Sequence, residues 1–537
     1  MIFKYVLLFF LIFVLSSFVS ASSGSIPLLA VTEGVNSSGI VASLELFVGD
    51  GSGDVFLNTY PLTKISTQLS MQQAKEQACE ELQFDCSSLN FYYTIRAPPG
   101  IVGGPSAGAA ASFLTSQILV NLSSETVAVT GTINSGGVIG PVGGYSEKIR
   151  AGALQGLKKF FVPQGAISQE NLSGIEDDLT VQIFEVGTLR ELLVNTTSYK
   201  PVIITDALLI PESYNSAMKK VSDELCYGSN SSKSEELISD GKYYSAASYC
   251  FRDNIQITRE ILENSSLEQL EFLRNTLFLE SESIIHELDN SSSVTYADIQ
   301  SRMAVEERVS EARKELDSEI SPEKLAYVQE RLRSARSWMN VRDVDGQKIK
   351  ISKDSIKNSC SAKLSEAEQY FSYISSFYPG SLFRTEHSIN DAKNDKDVED
   401  FELCIFRAVK AKADMNTLLS SLGATDDTIK KILDSKLLVT RDVLLRAQNR
   451  GFFPTMGYSY YEYAGVLRDD PATALLFAEY ALELSNLDVT LVGDIRNNSF
   501  ISDSRFPLYD FRGIVLPIVI GILLGFFLGL LFGKSRL

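Results

Sequence analysis

From Lys242 to Asp345 the chain contains no glycine, and apolar residues recur there at helical spacing. A stretch of that length without the residue that most readily interrupts a helix folds most simply as a set of long helices. Residues 296–320 and 322–339 read as two of them. The second has Ser321 as N-cap and Pro322 at its first position, where a missing N–H costs nothing. Asp469-Asp470-Pro471 separates two more, 458–467 and 472–484. No 34-residue period connects these helices, so they are not read as a repeat array. Residues 211–505 are therefore expected to form an all-α domain.

Upstream the texture differs. Short β-rich runs at 39–48, 55–59, 89–96, 127–133 and 159–162 alternate with helical stretches over residues 26–200. The first helix is expected to open with Ser70 as cap, Gln73 completing a capping box, and to end at Leu82, with Met71, Ala74 and Ala78 on its apolar face. Residues 106–120 and 144–154 read as further helices, the latter closed by Gly156. Interspersed helices and strands of this kind make an α+β domain.

The ends read as export signals. Lys4 is followed by a wholly apolar run over 6–14 and by small residues ending in Val19-Ser20-Ala21, which fits a leader of residues 1–21, either cleaved or kept as an anchor. Residues 513–533 form an uncharged apolar run of 21, long enough to span a bilayer as a helix. Lys534 and Arg536 follow, so residues 534–537 are expected on the cytoplasmic side and the bulk outside. Gly521, Gly525, Gly529 and Gly533 lie on one face of that span, where helices could approach closely.

Six cysteines in neighbouring pairs, Cys79 with Cys86, Cys226 with Cys250 and Cys360 with Cys404, suit disulfides in an oxidising exterior, although sequence leaves their connectivity open. Asn36, Asn121, Asn171, Asn195, Asn230, Asn264, Asn290 and Asn497 head glycosylation sequons. A net charge of -18 excludes nucleic acid as a partner, since phosphates require a basic surface.

Two segments carry chemistry. Gly103-Gly104-Pro105-Ser106-Ala107-Gly108 sets a serine in a glycine-rich turn at a helix start. There the unpaired backbone N–H groups can hold an oxyanion and a substrate backbone can come close. Serine is a poor nucleophile until a base takes its proton. The only histidines, His286 and His387, lie far downstream, 101 positions apart and without a ligand cluster, so neither base nor metal is expected from them. Lys148, which follows Pro141-Val142-Gly143-Gly144 at a spacing of 42 residues from Ser106, is the remaining choice. It must be neutral to act, and burial beside Val142, Ile149 and Ala153 would lower its pKa. Thr130, near the end of a predicted strand, could hydrogen-bond the amine and aim it.

In these two motifs, with Thr130-Gly131 between them, the chain resembles the proteolytic domain of the Lon family. The resemblance implies Ser106 as nucleophile, Lys148 as general base and then acid, and Thr130 as support. Gly103, Gly104, Pro105 and Gly108 would shape the oxyanion and substrate loop. It also implies an α+β fold of the ribosomal-protein-S5 second-domain type and a homo-oligomer, commonly a hexamer.

The family often has an acidic residue where Gly103 stands, and Thr-Gly-Glu where this chain has Thr130-Gly131-Thr132. A motor is missing as well. The lone Gly533-Lys534-Ser535 has Leu528 where a phosphate-binding loop begins with glycine. The expectation is a membrane-anchored, extracytoplasmic serine endopeptidase needing neither ATP, metal nor cofactor and acting on unfolded or flexible chains. The alternative is an inactive protease-like scaffold whose helical domain binds a surface partner.

Overall fold

The computed structural model describes residues 22–491, apart from residues 33–37, 61–62, 99–102, 171, 203–205, 230, 292–294, 343, 345–350, 379, 381 and 488–490. The expected leader, membrane span and cytoplasmic tail fall outside the described residues. Among those described, no helix is long and apolar enough to cross a membrane.

Nine strands are described: β1 (Ser22–Val31), β2 (Gly39–Asp50), β3 (Val55–Tyr60), β4 (Leu89–Arg96), β5 (Ala128–Val129), β6 (Thr132–Asn134), β7 (Val138–Gly140), β8 (Lys159–Pro163) and β9 (Gln182–Val186). Seven form one mixed sheet in the order β3-β4-β2-β1-β5-β8-β9, while β6 and β7 make a separate hairpin. β1, β2 and β4 pair antiparallel, and β5, β8 and β9 continue parallel to β1. The expected strand over 127–133 is in fact two, β5 and β6. The chain leaves the main sheet at Thr130-Gly131, where Gly131 turns to bond the serine loop instead of a strand.

Each strand that alternates apolar and polar residues has one face to bury, and helices supply the cover. Helices α1 (Ile65–Glu81) and α2 (Gly108–Leu119) lie over Leu44, Leu46, Phe91 and Tyr93. On the opposite face α3 (Tyr145–Leu154), α4 (Ala166–Glu170) and α5 (Ser173–Leu179) pack on Leu29, Phe160 and Val162. Helix α6 (Leu189–Thr196) returns Leu189, Leu192 and Leu193 to the first core. Side chains such as Leu44, Leu46 and Phe91, fully enclosed, contribute roughly 1.5–3 kcal/mol each.

Helix α1 begins five residues before the expected cap, at Ile65 after an extended Lys64. Ser70 is therefore not a cap. It lies buried inside the helix and donates its hydroxyl to the carbonyl of Pro105 at 3.1 Å, tying the helix to the serine loop.

The helical region follows as α7 (Glu212–Cys226), α8 (Ser232–Ser239), α9 (Tyr243–Leu262), α10 (Leu267–Asp289), α11 (Tyr296–Leu316), α12 (Pro322–Trp338), α13 (Lys353–Phe377), α14 (Phe383–Asp397), α15 (Phe401–Ser421), α16 (Asp426–Asn449), α17 (Thr455–Val466) and α18 (Pro471–Ser485). Ser321 caps α12 through the N–H of Lys324, with Pro322 first in the helix. All six cysteines are paired, Cys79 with Cys86, Cys226 with Cys250 and Cys360 with Cys404. The last two bridges join α7 to α9 and α13 to α15. The described sequon asparagines Asn121, Asn195, Asn264 and Asn290 are all exposed.

The helical region packs directly on the mixed domain. Gly136, at the tip of the β6–β7 hairpin with φ +69, leaves no room for a side chain. A Cβ there would lie 2.6 Å from Val439 and 2.9 Å from Val443 of α16. Arg190 of α6 bridges Glu81 of α1 and Asp442 of α16. Ser135 donates to Glu483 of α18, which also pairs with the buried Lys412. Charges buried this deeply are tolerable because each has an opposite charge beside it.

Candidate active site

Ser106 lies in a 3-10 turn, Pro105–Ala107, that leads straight into α2. The turn is entered through Gly104 at φ +143, a conformation open to glycine and costly for other residues. Two backbone bonds anchor it. The Gly131 N–H donates to the Ser106 carbonyl at 3.1 Å, and the Ala109 N–H donates to the Gly131 carbonyl at 3.0 Å. The Thr130-Gly131 segment is thus stitched to the serine turn. Ser106 itself is half-buried.

Gly108 is required for close approach. A Cβ there would meet Ile133 at 2.8 Å and Ser70 at 2.9 Å. Gly103, which stands where the family often has an acid, has an equally direct reason. A Cβ would lie 2.7–2.9 Å from the side chain and backbone N of Lys64. Here the start of α1 excludes any side chain at that position.

Lys148 projects from α3, whose start is set by Gly144 in the left-handed region at φ +70. It is 2% exposed. Burial pushes its amine down to about 7, against the opposing pull of Glu170 and Glu147. No carboxylate lies within ion-pair distance of Lys148 among the described residues, so nothing compels the ammonium form. The burial expected for Lys148 is present.

No hydrogen bond joins Ser106 Oγ to Lys148 Nζ among the described residues. Thr130 is fully buried, but its hydroxyl makes no hydrogen bond, so the expected bond to the lysine amine is not made. A buried hydroxyl left unpaired is rare and costly. Thr132, which replaces the family's Glu, accepts from Asn134 Nδ2 at 3.0 Å within the β6–β7 hairpin.

Three further residues frame the lysine, none of them singled out by sequence. Glu170, at the end of α4, accepts from the N–H groups of Tyr145 and Ser146 at 3.3 and 3.0 Å, and from the Ser146 hydroxyl at 3.2 Å. It caps α3 with a negative charge where the helix dipole favours one. Tyr145 turns its phenol back to accept the Val142 N–H at 2.9 Å. Tyr373, from α13 of the helical region, accepts the next N–H toward the lysine, that of Gly143, at 3.2 Å. No local motif could have revealed Glu170 or Tyr373. The signal for Tyr145 was its position beside Gly144, at the head of α3.

Comparison with known sequences finds relatives of this part of the chain. The profile of the Lon protease (S16) C-terminal proteolytic domain matches residues 34–224. Residues 34–224 are a Lon-type proteolytic domain. The matched chain is 41% identical over 113 residues to Lon protease 2 of Bacillus subtilis, covering 20% of each chain. It is 35% identical over 104 residues to a Lon protease of Paraburkholderia phytofirmans, covering 19% of this chain and 13% of that one. A Lon protease of Methanosarcina barkeri matches at 30% over 151 residues, 27% of this chain and 18% of its own. The chain thus spans a fifth or less of the length of these relatives. The shared part is a domain of the serine-peptidase class.

Proposed function

We propose that this protein is a serine endopeptidase in which Ser106 and Lys148 act as a catalytic dyad. The observation that carries the reading is Lys148, enclosed on a helix of a Lon-type proteolytic domain, with an amine held near 7 and free of any described carboxylate partner. An amine so placed is substantially neutral at physiological pH and can accept a proton.

In the reaction, Ser106 Oγ attacks the peptide carbonyl while Lys148 Nζ takes the hydroxyl proton. The oxyanion is held by backbone N–H groups of the serine turn, since those of Gly108 and Ala109 at the head of α2 are already bonded to the carbonyls of Pro105 and Gly131. Collapse expels the amine product, which receives its proton from Lys148. Water then attacks the acyl-serine with Lys148 again as base, releasing the acid product and restoring Ser106. Catalytic hydrogen bonds of this type are commonly long without substrate and tighten around it. Thr130 Oγ1, buried and unpaired, serves in this reading as the hydroxyl that receives the amine.

The same proposal places the chain at the outer face of a membrane, anchored by residues 513–533, after a leader over 1–21. The three disulfides and the exposed sequons at Asn121, Asn195, Asn264 and Asn290 fit an oxidising exterior. The substrates are unfolded or flexible chains, cleaved without ATP, and assembly is a homo-oligomer, a hexamer by family resemblance.

The test is cleavage of unfolded casein without nucleotide, comparing the wild type with Ser106→Ala and Lys148→Ala. Loss of cleavage in both variants is the expected outcome, whereas equal cleavage by all three eliminates the dyad.

A further inference from the structure

An aromatic side chain of the helical region lies against the serine loop. Gly104, two residues before Ser106, is buried, and a Cβ built on it would lie 3.3 Å from Cε2 and 3.5 Å from Cδ2 of Tyr373. The phenol of the same side chain accepts the N–H of Gly143, in the loop that leads to Lys148. One aromatic ring from the helical region therefore rests on both glycine loops at once. Glycine at these places lets a substrate backbone approach. Here the approach is taken by Tyr373.

The ring is firmly held. Helix α13 is bonded to α15 through Cys360 and Cys404. On the same helix, Lys363 and Glu366 pair with each other, and Glu366 pairs with Lys412. Burial pushes the Tyr373 phenol up to about 12, so it stays neutral and keeps its oxygen available to Gly143.

We propose that Tyr373 is a specificity-determining residue: its ring roofs the approach to Ser106 and selects substrates by cross-section, passing narrow extended segments and excluding bulky ones. The proposal rests on Ser106 being the nucleophile, but it concerns access, which can be measured without proteolysis.

All native cysteines are in disulfides, so Ser106→Cys introduces a single free thiol at the site. Its alkylation by iodoacetamide and by a bulky dye-maleimide is followed in Ser106→Cys alone and combined with Tyr373→Ala, Tyr373→Leu or Tyr373→Phe, after thermal melting confirms the fold. With the roof removed, the bulky reagent should react about ten-fold faster while iodoacetamide changes less than about two-fold, as expected when a side chain gates entry. Tyr373→Leu should give an intermediate acceleration, and it serves as the reporter if the alanine variant does not fold. Tyr373→Phe, which keeps the ring, should leave both rates as they are.

An unchanged bulky-reagent rate in the folded alanine or leucine variant overturns the proposal. So does equal acceleration of both reagents, which would indicate general loosening. With Ser106 intact, Tyr373→Ala should raise casein cleavage relative to that of a short peptide. Residual cleavage by Ser106→Ala would instead sink the dyad, and the alkylation rates would still decide the roof.

Discussion

The amide of Gly143 donates to the phenol oxygen of Tyr373 across 3.2 Å, although 230 residues separate them in the chain. The bond joins the loop before Lys148 to a helix that no comparison assigns to the proteolytic domain. It makes the helical region part of the site's wall, and its consequence is measurable at a single amide. Tyr373→Phe leaves the Gly143 N–H without its partner, which costs about 1–2 kcal/mol. Amide hydrogen exchange at Gly143 should accelerate by roughly ten-fold while exchange in β2 and β4 stays unchanged. An unaltered rate at Gly143 would show that the bond is not made in solution.

The amine of Lys148, lowered to about 7 by burial, sets the pH dependence of cleavage. Below that value it is an ammonium and cannot take the Ser106 proton; above it the free base accumulates. The kcat/KM should therefore rise with pH, pass half-maximum near 7 and level off about one unit higher. A half-maximum near 10, where an ordinary lysine titrates, would refute the buried base.

The same shift has a stability cost with a definite sign. In the unfolded chain the amine titrates near 10.5, so between about 7 and 10.5 the unfolded state binds the extra proton and stability rises with pH. Below about 7 both states are charged, and the native protein carries the full desolvation penalty, about 5 kcal/mol at most. Lys148→Met, similar in volume and uncharged, should be inactive yet melt several degrees higher at pH 6. That advantage should shrink as pH climbs toward 10. A variant less stable than the wild type at pH 6 contradicts this account.

Cys360 and Cys404 close a loop of 44 residues between α13 and α15. In the chain-entropy description such a crosslink contributes about 4 kcal/mol by restricting the unfolded state. Replacing both by serine should lower Tm markedly while leaving the α1–α2 core intact by near-ultraviolet circular dichroism.

Local signals were legible and remote ones were not. The run 89–96 was readable to the residue because its alternation matches a strand with one buried face, as β4 has. Lys148 was readable because its neighbours Val142 and Ile149 are apolar, and both are buried. Ser70 with Gln73 carries the capping-box pattern, but tertiary structure overrode it. The carbonyl of Pro105 claims the Ser70 hydroxyl, and the helix runs through. The hydroxyl of Thr130 was expected on the lysine amine and bonds nothing, since sequence gives proximity along the chain but not the rotamer. Tyr373 and Glu170 were invisible for a common reason: each bonds backbone N–H groups, which any residue presents, so no pattern at the receiving end marks the partner.

Glu170 holds the lysine's helix and opposes its neutralisation at once. Its carboxylate accepts two N–H groups and a hydroxyl at the head of α3, and it is the foremost of the charges that draw the Lys148 pKa upward. The two roles separate by substitution. Glu170→Gln keeps an acceptor oxygen for the helix but removes the charge, so the ammonium loses support and the amine titrates lower. The half-maximum of the kcat/KM profile should move down by about 0.5–1 pH unit with the plateau nearly unchanged. Glu170→Ala removes the cap as well, leaving N–H groups unpaired at a cost of about 1 kcal/mol, and the plateau itself should fall as α3 loosens. An unmoved half-maximum in Glu170→Gln would mean that the carboxylate does not feel the amine, and the electrostatic frame around Lys148 would have to be abandoned.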